Sequence, residues 1–85
     1  MKVFFAPSFV RAYKNLPEEL KQEVKEKITL FEKNPKQTFL KTHKLKGKLR
    51  GRQSFSVNYK YRIVFFTTST ADAVLLAVGD HDVYA

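Results

Sequence analysis

Eighty-five residues with no cysteine exclude a disulfide framework and a thiolate metal site, so a small core must hold the chain together unaided. A chain this short buries only roughly 60–65% of the surface its unfolded form exposes. Sixteen Lys and Arg against eight Asp and Glu leave a net charge of +8, which excludes an acidic or charge-balanced surface and points toward anionic partners.

Residues 2–6, Lys-Val-Phe-Phe-Ala, read as a first strand that Pro7 ends. This apolar run is too short for a signal peptide, and nothing later approaches the roughly 18–20 apolar residues of a membrane span. The chain reads as soluble and uncleaved, one domain over residues 1–85, with a composition that fits the cytoplasm. Ser8 is placed to cap a short helix in which Phe9, Tyr13 and Leu16 recur at i, i+4 and i+7. Pro17 then suits the first position of a second helix, with Glu18 and Glu19 favouring the positive end of its dipole. Leu20, Val24, Ile28 and Phe31 trace one apolar stripe along that helix, and Asn34-Pro35 stops it.

The second half switches to period two. Residues 52–58 set Arg52, Ser54 and Ser56 against Gln53, Phe55 and Val57, the pattern of a half-buried strand. After a tight Asn58-Tyr59-Lys60 connection, residues 60–67 place Tyr61, Ile63 and Phe65 on one face and Arg62, Val64 and Phe66 on the other. Residues 72–79 form a last strand that Gly79 closes. Short connections imply an antiparallel meander. The fold class is α+β, in the order β-α-α-β-β-β, with a helical hairpin packed on one face of a twisted, mostly antiparallel four-stranded sheet. The face carrying Arg52, Ser54, Ser56 and Arg62 is then left for function.

The charge is unevenly spread. Residues 41–62 hold eight of the sixteen Lys and Arg and no acid, whereas residues 63–85 hold three acids and neither Lys nor Arg. An acid-free concentration is better explained by a polyanion than by solvation alone, because each neutralised phosphate releases counterions. Acidic protein partners fit the same charge.

Three constellations could carry chemistry. In His43-Lys44-Leu45-Lys46-Gly47-Lys48-Leu49-Arg50-Gly51-Arg52, alternating cations between glycines let backbone and charge approach an anion; the spacing of a nucleotide P-loop is absent. In Tyr61-Arg62-Ile63-Val64-Phe65, Arg62 is a guanidinium inside an apolar strand and needs a partner. That partner is either a structural one, Asp72 or Asp80, or a phosphate that matches its fork of donors. In Gly79-Asp80-His81-Asp82-Val83-Tyr84, His81 titrates near neutrality and can move a proton. His43, His81 and Asp82 are too few and too badly spaced for a metal, so none is expected. Ser54 and Ser56 have no recognisable triad partners.

The run His43 to Gly51, then Tyr61 to Phe65, then Val78 to Tyr84, in that order behind two helices, resembles the RelE/ParE toxin superfamily of toxin–antitoxin pairs, and the likeness covers essentially the whole chain. The resemblance implies a cytoplasmic, ribosome-dependent endoribonuclease that cuts mRNA without metal or cofactor. It implies a cognate antitoxin that holds the toxin inactive, in an assembly such as a heterotetramer. By the same resemblance Arg62 contacts the scissile phosphate, aided by Arg52 or Lys46, and His81 and Tyr84 supply a proton-transfer group and a stacking aromatic. His43, Lys44, Lys46, Lys48, Arg50 and Arg52 would hold RNA. The sequence departs from the founding branch at Ser54 and Ser56, which stand where that branch places lysines. ParE members share the fold and inhibit DNA gyrase without cutting RNA, so a gyrase inhibitor and a catalytically silent RNA- or antitoxin-binding domain stand as alternatives.

Overall fold

The computed structural model describes residues 1–80 and Val83. The chain runs β1 (Val3–Phe5), α1 (Pro7–Lys14), α2 (Glu18–Lys33), a 3-10 turn at Thr38–Leu40, β2 (His43–Lys44), a second 3-10 turn at Gly47–Leu49, β3 (Gln53–Ser56), β4 (Arg62–Thr67) and β5 (Ala73–Gly79). The strands form one sheet in the order β1-β5-β4-β3-β2. β1 pairs parallel with β5, and every other pair is antiparallel.

The α+β class and the helical hairpin on a mostly antiparallel sheet match the expectation, but the sheet has five strands where the sequence suggested four. The extra strand is β2, two residues long, held against β3 with His43 opposite Ser54 and Lys44 opposite Gln53. Two residues with a lysine among them carry no readable alternation, so only the pairing reveals the strand.

Pro7 ends β1 because it cannot donate to a ladder, and its fixed φ opens α1 instead. Ser8 is not the cap: Ala6 occupies that position in an extended conformation, and the Ser8 hydroxyl donates to the carbonyl of Leu76 at 2.6 Å. Likewise Pro17 is the residue before the first helical turn of α2 rather than within it. Glu18 and Glu19 do occupy that first turn, and Leu20, Val24, Ile28 and Phe31 are all buried, as their spacing requires. Asn34, extended at φ −156°, ends α2 and donates its N–H to Leu30 at 3.0 Å.

The core lies between α2 and the sheet. Phe31 stacks on Phe55 with centroids 4.2 Å apart and meets Phe65 edge-on at 4.9 Å. These three rings clamp the second helix to β3 and β4. Ala73, Leu75 and Val78 of β5 are buried with them. Strict alternation cannot put Leu75 and Val78 on one face. The register resolves this: Val64 pairs with Ala77 and Phe65 with Leu75, so Leu76 is the extra residue of a β-bulge that resets the phase of β5.

Candidate nucleic-acid interface

Directly opposed residues in neighbouring strands share a face. Opposite the Phe55–Phe65 core face, one row runs His43, Ser54, Val64 and Ala77, and the next runs Ser56, Arg62 and Gly79. This face is less open than the alternation suggested. Ser54 has no exposed surface and Ser56 is 8% exposed, so β3 is buried on both sides. The half-buried strand and the open serine face are corrected accordingly: Arg52 is exposed, the two serines are not.

Arg62 is half-buried, and its Nη1 donates to the carbonyls of Asn58 at 2.7 Å and Tyr61 at 3.2 Å. Asp72 is not its counter-ion, because that carboxylate accepts from the Lys2 amide and from Thr70 Oγ1, each at 3.1 Å. The loop that holds Arg62 is built around Asn58. Its Oδ1 accepts from the amides of Lys60 and Tyr61 at 2.9 and 2.8 Å, and its Nδ2 donates to Glu23 Oε2 on α2 at 3.2 Å. A charge-assisted bond from one nitrogen to main-chain carbonyls fixes the guanidinium plane.

His43 is exposed on β2, and its Nδ1 lies 2.8 Å from the Lys41 carbonyl. A carbonyl only accepts, so Nδ1 carries the proton, and in the neutral ring Nε2 is the bare, basic nitrogen. Strand spacing of about 4.8 Å and a rise of about 3.3 Å per residue put the His43 and Arg62 backbones roughly 12 Å apart.

Lys44, Lys46, Lys48, Arg50 and Arg52 are all exposed, on the hairpin between β2 and β3. Leu45 N–H to Arg52 O at 2.9 Å closes it, and Leu45 and Leu49 turn partly inward. Gly47 at φ +67° and Gly51 at φ +90° allow the chain to turn where a side chain would strain it. Arg52 and Ser56 are separated by four residues of extended chain, about 13 Å. The structure therefore does not bring Arg52 beside Arg62, and the hairpin cations form a separate patch.

His81 and Tyr84 lie outside the described residues. Of the neighbouring described residues, Val83 donates its N–H to the Asp80 carbonyl at 3.1 Å. A Cβ placed on Gly79 would meet the Val83 Cβ at 3.7 Å, so Val83 sits at the end of the Arg62 row.

Three features escaped the sequence. Tyr59, next to Asn58, is 91% exposed, an aromatic ring offered to solvent on the loop that holds Arg62. A cleft of about 400 Å³ at the outer edge of β2 is lined by Lys36, Gln37, Thr38, Lys41, Thr42, His43, Lys44 and Gln53. On the helical side, Phe5, Phe9, Val10, Tyr13 and Ile28 line an apolar groove of about 440 Å³. Among the described residues no group of three His, Cys, Asp or Glu could hold a metal ion, and no helix is long and apolar enough to cross a membrane.

A helical hairpin on one face of a mostly antiparallel five-stranded sheet is the fold this chain shares with solved RelE/ParE-type toxin structures. No family model matches the sequence, and no curated protein is similar to it. Solved structures are. YafQ from E. coli strain BL21(DE3) superposes with a TM-score of 0.80 at 17% identity, covering 98% of this chain and 96% of that one. The RelBE2 toxin–antitoxin complex from Mycobacterium tuberculosis gives 0.79 at 21% identity, with coverage of 94% and 96%. The YoeB/ParE toxin from Agrobacterium tumefaciens gives 0.76 at 19% identity, with coverage of 95% and 99%.

Proposed function

We propose that this chain is the toxin of a toxin–antitoxin pair and acts as a ribosome-dependent endoribonuclease on mRNA. One observation carries the reading: an anchored Arg62 and the bare Nε2 of His43 occupy neighbouring rows of one sheet face, at the edge of an acid-free basic hairpin. The likeness in fold to YafQ and to the RelBE2 complex supports it over the full length of the domain.

The reaction class needs only the substrate's own 2′-OH. That oxygen attacks the adjacent phosphorus, the P–O5′ bond breaks, and a 2′,3′-cyclic phosphate forms. The 2′-OH proton passes to a base, and the leaving 5′-oxygen takes a proton from an acid. Arg62 stabilises the charge that builds on the phosphorane, commonly the largest contribution in such a site. His43 and His81 are the two imidazoles for proton transfer. Tyr84 stacks on a base, a contact worth about 1–3 kcal/mol. The hairpin cations hold RNA backbone.

Cleavage of an mRNA on programmed ribosomes by antitoxin-free protein tests this. Cuts that need the ribosome and fall at least about tenfold in Arg62→Ala and in His81→Ala agree with general acid–base and electrostatic roles. Full cleavage in both variants removes the assignment. A catalytically silent binding domain is favoured by one observation, the burial of Ser54 and Ser56, which offer no cation beside Arg62. Folded protein that binds its antitoxin and programmed ribosomes without cutting is the result that selects it.

The antitoxin is the partner the exposed apolar surface calls for. Phe5 is 50% exposed and Val10 37% exposed beside the groove between the helices. An amphipathic segment that buries them, with acids toward the basic surface, would hold the toxin.

A further inference from the structure

The cleft at the outer edge of β2 lies apart from the Arg62 row. It joins His43 and Lys44 of the basic stretch to the 36–42 connection, for which the sequence suggested no role beyond the charge of Lys41. Its lining contains three lysines, one histidine, two threonines and two glutamines, and no acid or large apolar side chain. Lys36 and Lys41 come from the 34–42 connection, and Lys44 comes from β2. The fold thus gathers charges that lie five and three residues apart along an irregular stretch into one concavity.

The walls are fixed before any ligand arrives. Gln37 Nε2 donates to the Leu30 carbonyl at the end of α2 at 2.9 Å, and Thr42 Oγ1 donates to the Pro35 carbonyl at 2.8 Å. Lys41 adopts the left-handed conformation at φ 51° with its amide on Thr38 O at 3.1 Å, which ends the 3-10 turn and swings the chain into β2. Buried Leu40 pins the same turn to the core. The Leu45 amide bonds Arg52 O, so in an antiparallel ladder the preceding Lys44 turns its N–H away from β3, toward the open edge. The cleft therefore offers ammonium groups and an outward main-chain amide on a preformed frame, which lowers the ordering cost of binding.

We propose that this cleft is a phosphate seat for a single RNA strand, a second anchoring point beyond the Arg62 row. Lys36, Lys41 and Lys44 each neutralise backbone charge, and the Gln37, Thr38 and Gln53 side chains complete the polar lining. The lysines act as compact point charges, which suits phosphate oxygens without selecting a base. His43 belongs both to the cleft and to the row beside Arg62, so a strand seated here continues directly onto the sheet face. The proposal rests on the RNA-directed reading and assigns that reading a location.

The test is fluorescence anisotropy of a labelled oligouridylate with antitoxin-free protein over a series of salt concentrations. The triple variant Lys36→Gln, Lys41→Gln, Lys44→Gln is expected to lower the slope of log K against log salt by about 2, since each single-strand phosphate contact contributes about 0.7. A control triple with the same charge loss, Lys2→Gln, Arg11→Gln, Lys14→Gln, changes exposed positions in β1's lead-in and α1 and is expected to leave the slope in place. Equal slopes for wild type and the cleft variant overturn the cleft while leaving RNA binding intact. Equal losses in both triples show a net-charge effect and overturn it too. Wild-type protein that does not bind the oligonucleotide removes the RNA-directed reading itself. A cleft variant that binds RNA normally but loses its acidic antitoxin assigns the seat to a peptide and overturns the proposal.

Discussion

The Ser8 hydroxyl and the Leu76 carbonyl meet at 2.6 Å, joining the first turn of α1 to the bulge in β5. A bulge leaves its extra residue outside the ladder, and here a hydroxyl sixty-eight positions away in sequence takes up the Leu76 carbonyl. The bond lets β5 bury Leu75 and Val78 together while α1 lies over the strand.

Ser8→Ala is expected to cost about 1 kcal/mol, the usual net worth of one such hydrogen bond. Urea unfolding checks it: the midpoint should fall with the m-value unchanged. A midpoint equal to wild type would mean that water replaces the hydroxyl at no cost and that the bulge needs no help from α1.

Phe31→Ala should be far more severe. Phe31 has no exposed surface and contacts two core rings, Phe55 and Phe65, at 4.2 and 4.9 Å. Removing a buried aromatic side chain costs about 3–5 kcal/mol, a large fraction of the stability of any small domain. The expected outcome is a chain largely unfolded at 37 °C by circular dichroism. Phe31→Leu, which keeps most of the volume, should remain folded with a lowered midpoint.

These contrasts show what the sequence could carry. The stripe Leu20, Val24, Ile28 and Phe31 was legible because a helix repeats every 3.6 residues and each position faces the same core. Residue types at a strand's interior gave Ile63 and Phe65 the same way. Ser8 was misread because a serine before an apolar run looks like a cap, and its true partner exists only once β5 has bulged. Ser54 and Ser56 looked exposed because alternation assigns a face but not what covers it. The basic stretch was visible as charge, and Arg62 as a guanidinium in an apolar strand. The cleft was not, because Lys36 and Lys41 reach Lys44 only through a left-handed turn that no local pattern announces.

Asn58 holds Arg62 through its own carbonyl, and its side chain shapes the loop and ties it to Glu23 of α2. Asn58→Ala should therefore lower the maximal cleavage rate on programmed ribosomes by about tenfold while binding to the ribosome changes little. The rate reflects orientation of the guanidinium, for which small misplacements are costly. Asn58→Asp keeps the Oδ1 acceptor for Lys60 and Tyr61 and should recover most of the rate. Equal loss in both variants would place the role with Nδ2 and Glu23 instead.

The His43 tautomer can be read directly. The bond to the Lys41 carbonyl requires a proton on Nδ1, so nitrogen-15 spectra of the neutral ring should show the Nδ1–H form. That form leaves Nε2 as the ring's proton acceptor, as the proposed reaction requires. A dominant Nε2–H form would reverse the direction of that bond, which a carbonyl cannot support, and would remove His43 as a base.

The apolar groove yields the last expectation. Val10 is exposed on α1 and lines the groove, so a charge there meets water in the free protein. Val10→Glu should leave the unfolding free energy within about 0.5 kcal/mol of wild type, as for most surface changes. In a complex the same carboxylate would lose its water in a groove whose lining already includes Glu32 and Lys25, and binding that desolvates a charge so placed loses several kcal/mol. Titration calorimetry with the cognate antitoxin should therefore show affinity reduced at least about a hundredfold, roughly 2.7 kcal/mol. Unchanged affinity would move the antitoxin off the helical face and toward the basic edge of the sheet, where the cleft variant would then be the one to lose it.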